Sequence, residues 1–194
     1  MDKETRSLMV APKLRADGEK SIVGGFAVRY NSETIIGGEF REQFAPGAFA
    51  EAIKGDVRAL FNHDSSKVLG RTKSGTLRLS EGDSGLTYDL DLPDTTVGRD
   101  LRVSMDRGDI DGSSFAFSVI RQEWDDSGEM PLRTILEAGL AEVSPVTFPA
   151  YADSAIALRS LDEAREDAKP PEADKKADEY YRRKAEDEQK FRKI

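Results

Sequence analysis

The amino-acid sequence predicts a mostly β (α+β) domain, with many short strands, a few short helices and a barrel or sandwich architecture. Three features of the 194-residue chain carry that prediction. Apolar and polar residues alternate along several short stretches, which is the period of a half-buried strand. Glu81-Gly82-Asp83-Ser84-Gly85 and Asp125-Asp126-Ser127-Gly128 interrupt such stretches with turn-forming residues. Helical spacing of apolar residues is confined to two brief segments in the body of the chain.

In chain order, Leu8, Val10 and Leu14 predict a first strand and residues 22–30 a second. Pro46 suits a first helical turn, with Phe49 and Ile53 on one face and Gly55 as the stop. Val57-Arg58-Ala59-Leu60-Phe61 predicts a buried strand that runs into the turn Asn62-His63-Asp64-Ser65. Residues 76–80 and 86–90 flank the first turn cluster as a hairpin. A second helix follows, capped by Asp94 or Thr95, with Val97, Leu101 and Met105 four apart and Gly108 at its end. Residues 113–119 and 133–140 flank the second turn cluster, and 142–148 continue as a further strand.

Composition divides the chain into a folded domain at 1–160 and a charged C-terminal tail at 161–194. Pro170-Pro171 interrupts any helix in the tail. Residues 172–194 read either as a solvated, partly disordered tail or as a docking helix with Ala173, Ala177 and Tyr180 as a thin stripe. The tail carries 11 acidic and 10 basic side chains, so nearly all of the net charge of -8 sits on the domain. Such a surface repels nucleic acid and anionic membranes, and neither is expected as a partner. No apolar run approaches the roughly 18–20 residues needed to cross a bilayer. Met1-Asp2-Lys3-Glu4 lacks the apolar core of a signal peptide, so a cytoplasm is the expected location.

The chain has no cysteine and one histidine. Disulfides, thiolate nucleophiles and zinc sites built from cysteines or several histidines are therefore excluded. A carboxylate site for magnesium or calcium stays open on composition. The best match to a calcium loop, Asp109-Ile110-Asp111-Gly112, has its glycine too early. No cofactor is expected.

Three residues carry candidate chemistry. His63 sits at the end of a predicted strand and is the one side chain of a type that titrates near neutrality. Ser114 lies on a strand whose Ser113, Phe115, Phe117 and Val119 share one face, while Ser114, Ala116 and Ser118 form a small, open face with room for a substrate carbonyl. Glu142 is a carboxylate in the otherwise apolar Leu140-Ala141-Glu142-Val143-Ser144-Pro145-Val146. Taken singly, each has a plain alternative: a surface-turn histidine, a polar strand face and a surface glutamate. Together they make sense chemically. A serine hydroxyl needs a base, a neutral imidazole can serve, and a carboxylate can fix its tautomer.

Five stretches, in order and spacing, resemble the prohead proteases of tailed bacteriophages. They are Gly24-Gly25-Phe26-Ala27-Val28-Arg29-Tyr30; Phe40-Arg41-Glu42-Gln43-Phe44-Ala45-Pro46-Gly47-Ala48-Phe49; and Phe61-Asn62-His63-Asp64 with Val68-Leu69-Gly70-Arg71-Thr72. The remaining two are Gly108-Asp109-Ile110-Asp111-Gly112-Ser113-Ser114-Phe115-Ala116-Phe117 and Leu140-Ala141-Glu142-Val143-Ser144-Pro145-Val146-Thr147-Phe148-Pro149-Ala150. The resemblance implies His63 as general base, Ser114 as nucleophile and Glu142 as third member. It departs from the family pattern at Ser113, a rival nucleophile where a bulky apolar residue is usual, and at Ala116, where glycine is usual.

The same resemblance implies a closed or partly closed β-barrel ringed by short helices, similar to the herpesvirus assemblin proteases. It implies a serine endopeptidase that cleaves scaffold protein, or the scaffold-like N-terminal segment of the major capsid protein, and its own tail. It would act inside the procapsid in the host bacterial cytoplasm, with self-association among its partners. Backbone N–H groups are the expected oxyanion donors. The alternative is a catalytically inert assembly or scaffolding protein that retains the fold.

Overall fold

The computed structural model describes residues 3–18, 20–148, 155–168 and 184. The chain divides into two compact units, Met1–Ile156 and Ala157–Ile194. The first is mostly β. Its strands are β1 (Glu4–Leu8), β2 (Lys13–Asp17), β3 (Lys20–Arg29), β4 (Thr34–Ile36), β5 (Phe40–Phe44), β6 (Arg58–Phe61), β7 (Asp64–Arg71), β8 (Leu77–Gly82), β9 (Gly85–Asp91), β10 (Gly112–Asp125) and β11 (Leu132–Val146). A helix, α1 (Thr96–Arg107), connects β9 to β10. A second helix, α2 (Ala155–Asp167), runs through the point where the composition changes. The candidate docking helix at 172–194 lies outside the described residues apart from Lys184.

The strands form two sheets. One has the order β1-β10-β11-β5-β4, with β6 also paired to β11 and β7 to β6; the other has the order β2-β3-β9-β8. Both contribute to one apolar core, with Val23, Val28, Leu86 and Leu90 from the smaller sheet and Phe44, Phe115, Ile135 and Val143 from the larger. Phe44 meets Phe49, Phe115 and Phe117 at ring-centroid distances of 5.5, 5.6 and 5.2 Å, respectively. The Phe49 pair is stacked and the other two meet edge to face, and both arrangements add to the stabilisation from area burial.

Among the described residues the strand pairing closes no barrel. The sheets are joined by the isolated parallel bridge Tyr30–Phe44. Beyond it Asn31, at φ 52°, enters the left-handed region and turns the chain away before a ladder can extend.

Two local expectations are corrected. The segment after Pro46 is a set of turns ending in a short 3-10 helix at Ala52–Lys54, rather than an α-helix. Gly47 takes φ 85°, which breaks a helix at its second residue, and the Phe49 N–H donates to Glu81 Oε1 at 3.1 Å. The single strand expected around Leu8, Val10 and Leu14 is two strands, β1 and β2, separated at residues 9–12. Pro12 cannot donate to a ladder there, and Met9 is 77% exposed. The second helix is as expected: Thr95 accepts from the Gly98 N–H at its N-cap, and Gly108 closes it in the left-handed region.

A buried ion-pair cluster fastens β1 to β5 and β11 within the larger sheet. Arg6 donates to Glu42 from Nε at 2.6 Å and to Glu4 from Nη2 at 2.6 Å. Arg133 donates to Glu4 and to Glu42 at 2.9 Å each. The four charges cancel, and each group satisfies the others' hydrogen bonds, which is what such burial requires. Burial alone would raise the Glu4 carboxyl, but the hydrogen bond and charge of Arg133, joined by those of Arg6, hold it below the usual carboxylate value.

Candidate active site

Register brings the three candidate side chains together. β10 and β11 pair antiparallel, with Ala116 opposite Glu142 and Ser114 opposite Ser144. β6 runs parallel to β11, with Arg58 opposite Glu142 and Ala59 opposite Val143. The turn after β6 therefore lands beside the end of β11, where the Asn62 N–H donates to the Pro145 carbonyl at 3.1 Å.

That turn has an unusual backbone. Phe61 pairs with Asp64, leaving Asn62 and His63 as the two central residues, at φ 54° and 60°. A two-residue hairpin with both central residues at positive φ is the type I′ turn, which favours Asn then Gly. Histidine in the glycine position carries strain of about 1–3 kcal/mol, a cost found chiefly at functional sites. Asn62 offsets part of it, since its Oδ1 accepts the Thr147 N–H at 2.9 Å.

The His63 ring lies between the other two side chains. Its Nδ1 is 2.5 Å from Glu142 Oε1, and its Nε2 is 2.8 Å from Ser114 Oγ. Glu142 is buried, not the surface glutamate that its strand pattern also allowed. Its second oxygen, Oε2, accepts the Ser144 hydroxyl at 2.5 Å. A carboxylate can only accept, so Nδ1 carries a proton, and in the neutral ring Nε2 then presents a lone pair to Ser114.

The face around Ser114 is not open. Ser114 has no solvent exposure. Ser7 on β1 donates its hydroxyl to Ser114 Oγ at 2.9 Å, and the Arg6 carbonyl lies 2.8 Å from the same oxygen. Pattern reading left that face free because it did not show β1 pairing along β10, with Ser7 opposite Ser114. The single Ser114 proton thus has two acceptors in reach, the Arg6 carbonyl and His63 Nε2. Ser113 faces the opposite way. Its hydroxyl donates to the Tyr88 hydroxyl at 3.3 Å in the core, far from the imidazole by strand alternation. Burial pushes the Tyr88 phenol up to about 12, the contact with Ser113 offsetting part of the rise.

Two residues at the site escaped the sequence reading. Ser144 had a usable signal, since it stands two residues after Glu142 on one strand and so shares its face. Ser7 had none, because its place depends on a long-range register. No group of three or more histidine, aspartate or glutamate side chains suited to a metal ion occurs among the described residues.

Over 158 residues the chain is 31% identical to the prohead protease of Enterobacteria phage HK97, covering 77% of this chain and 65% of that protein. It thus spans just under two thirds of that relative's length. The solved structure of the bacteriophage T4 capsid assembly protease shares the fold at a TM-score of 0.50 and 11% identity, over 76% of this chain and 98% of that one. The family model described as caudovirus prohead serine protease matches residues 9–167, more than three quarters of the sequence, and the chain belongs to that family.

Proposed function

We propose that this chain is a serine endopeptidase of procapsid maturation, with Ser114 as nucleophile, His63 as general base and Glu142 as the carboxylate that orients it. The observation that carries the reading is the bridging imidazole, 2.5 Å from a carboxylate on one side and 2.8 Å from an alcohol on the other. As the hydroxyl oxygen attacks a peptide carbonyl, its proton passes to Nε2 and Glu142 stabilises the imidazolium. The C–N bond then breaks as His63 returns that proton to the leaving amine, and an acyl ester remains on Ser114. Water, deprotonated by His63, attacks the ester, releases the acid and restores the hydroxyl.

Productive attack needs the Ser114 proton on Nε2 rather than on the Arg6 carbonyl. It also needs a substrate carbonyl at a hydroxyl that β1 now covers. A shift of β1 is therefore part of the reading. The family, together with a prohead protease and a capsid assembly protease among its relatives, supports procapsid proteins as substrates. In this reading they are scaffold protein or the N-terminal scaffold segment of the major capsid protein, cut inside the procapsid in the host bacterial cytoplasm. The tail at 161–194 is a self-cleaved extension, the copies self-associate, and the two linked sheets are an opened form of an assemblin-like barrel.

The complete burial of Ser114 favours a second reading, an inert assembly protein that keeps the fold. Fluorophosphonate labelling and cleavage of capsid or scaffold protein separate the two. The protease reading expects label on Ser114, and a fall in cleavage of roughly 10⁴–10⁶-fold in Ser114→Ala. No label and no cleavage would establish the inert protein, while undiminished cleavage by Ser114→Ala would remove that residue from the mechanism.

A further inference from the structure

We infer that Ser144 is a positioning residue, a clamp that holds both ends of the His63–Glu142 pair; the inference rests on the catalytic roles proposed above. Its hydroxyl makes two contacts. It donates to Glu142 Oε2 at 2.5 Å, and it accepts the backbone N–H of His63 at 3.3 Å. Ser144 has no solvent exposure, so no water can take over either contact without a change in packing.

The geometry makes each contact matter. A glutamate side chain has three rotatable bonds, and the last of them, which sets the plane of the carboxylate, is soft. Oε1 presents a lone pair to Nδ1 only while Oε2 is held. The Ser144 hydroxyl holds Oε2 at 2.5 Å, and a hydrogen bond to a charged acceptor is among the stronger kinds. At the other end, His63 sits in a left-handed conformation that its own backbone disfavours. Hydrogen bonds from the Asn62 and His63 N–H groups to β11 keep the turn in that state, and Ser144 supplies one of the two acceptors.

Strand geometry explains why a single residue can reach both. Residues two apart on β11 share a face, which puts Ser144 beside Glu142. Register also puts Ser144 directly across from Ser114. Clamp and nucleophile are thus fixed by the same pair of strands, and the imidazole is suspended between them. A serine placed only to fill a buried strand position would have no reason to give its one proton to the carboxylate that faces His63.

The single histidine makes a test direct, because the imidazole N–H spectrum belongs to one residue. In Ser114→Ala, which needs no activity, the Nδ1–H proton resonance of His63 should lie far downfield through its bond to Glu142. In Ser114→Ala/Ser144→Ala that resonance should move upfield or vanish by exchange with water, with the thermal transition still cooperative. In the otherwise unsubstituted chain, Ser144→Ala should lower kcat by about 10–100-fold at nearly constant KM. An unchanged Nδ1–H resonance in the double variant would overturn the clamp, whether or not the chain proves to be a protease. A chain with no cleavage whose resonance still depends on Ser144 would sink the catalytic reading and keep the clamp.

Discussion

Asn62 and His63 show how much one backbone conformation can report. Both hold positive φ, and Asn62 also takes two donors from Thr147, its N–H at 2.9 Å and its hydroxyl at 3.3 Å. Asn62→Ala should therefore lose those bonds and put a less tolerant residue at φ 54°, costing about 1–3 kcal/mol. Urea unfolding would measure that loss. Cleavage should fall with it, because the turn carries the imidazole. The sequence reading identified the turn and the three candidate residues. It did not reveal their meeting, since that depends on parallel pairing of β6 with β11, which leaves no local pattern. Chemistry linked the three residues and family resemblance implied their roles; taken singly, each residue also fitted its plain alternative.

At the scale of elements, the legible parts were those with local signals. The helix α1 has its cap, its spacing and its terminal glycine in the sequence, and the hairpin β8–β9 has its turn cluster. The hairpin strands run further than the pattern suggested, and Gly82 pairs with Gly85 around Asp83 and Ser84. Gly85 is at φ 148°, and a Cβ there would stand 2.1 Å from the Val28 carbonyl oxygen. Gly85→Ala should cost about 2–4 kcal/mol and lower Tm by roughly 4–16 °C, a shift readable by calorimetry. β1 was illegible for the opposite reason. Its buried positions are Glu4 and Arg6, so a search for apolar alternation passed over it.

For the whole molecule, the cluster of Glu4, Arg6, Glu42 and Arg133 ties together three segments distant in sequence. Removing one member leaves a buried charge without its partner, so Arg133→Ala should cost about 3–5 kcal/mol in urea unfolding. The pH dependence has a definite sign. The Glu4 carboxyl is held below its ordinary value of 4.5 in the folded chain, so its contribution is fully present above that value and is lost as pH falls through the lower, folded one. The stability difference between the unsubstituted chain and Glu4→Gln should accordingly shrink on acidification below about pH 4.5, as paired urea titrations would record.

The first strand also bears on how the gene is cut for expression. The family match starts at residue 9, so an insert designed on that boundary would omit Glu4, Arg6 and Ser7. The shortened polypeptide should unfold at lower urea than its parent. Where it stays folded, Ser114 would face the imidazole without the Arg6 carbonyl or the Ser7 hydroxyl and should react faster with a fluorophosphonate. A frailer product with a barer alcohol is what trimming to the shared region should yield.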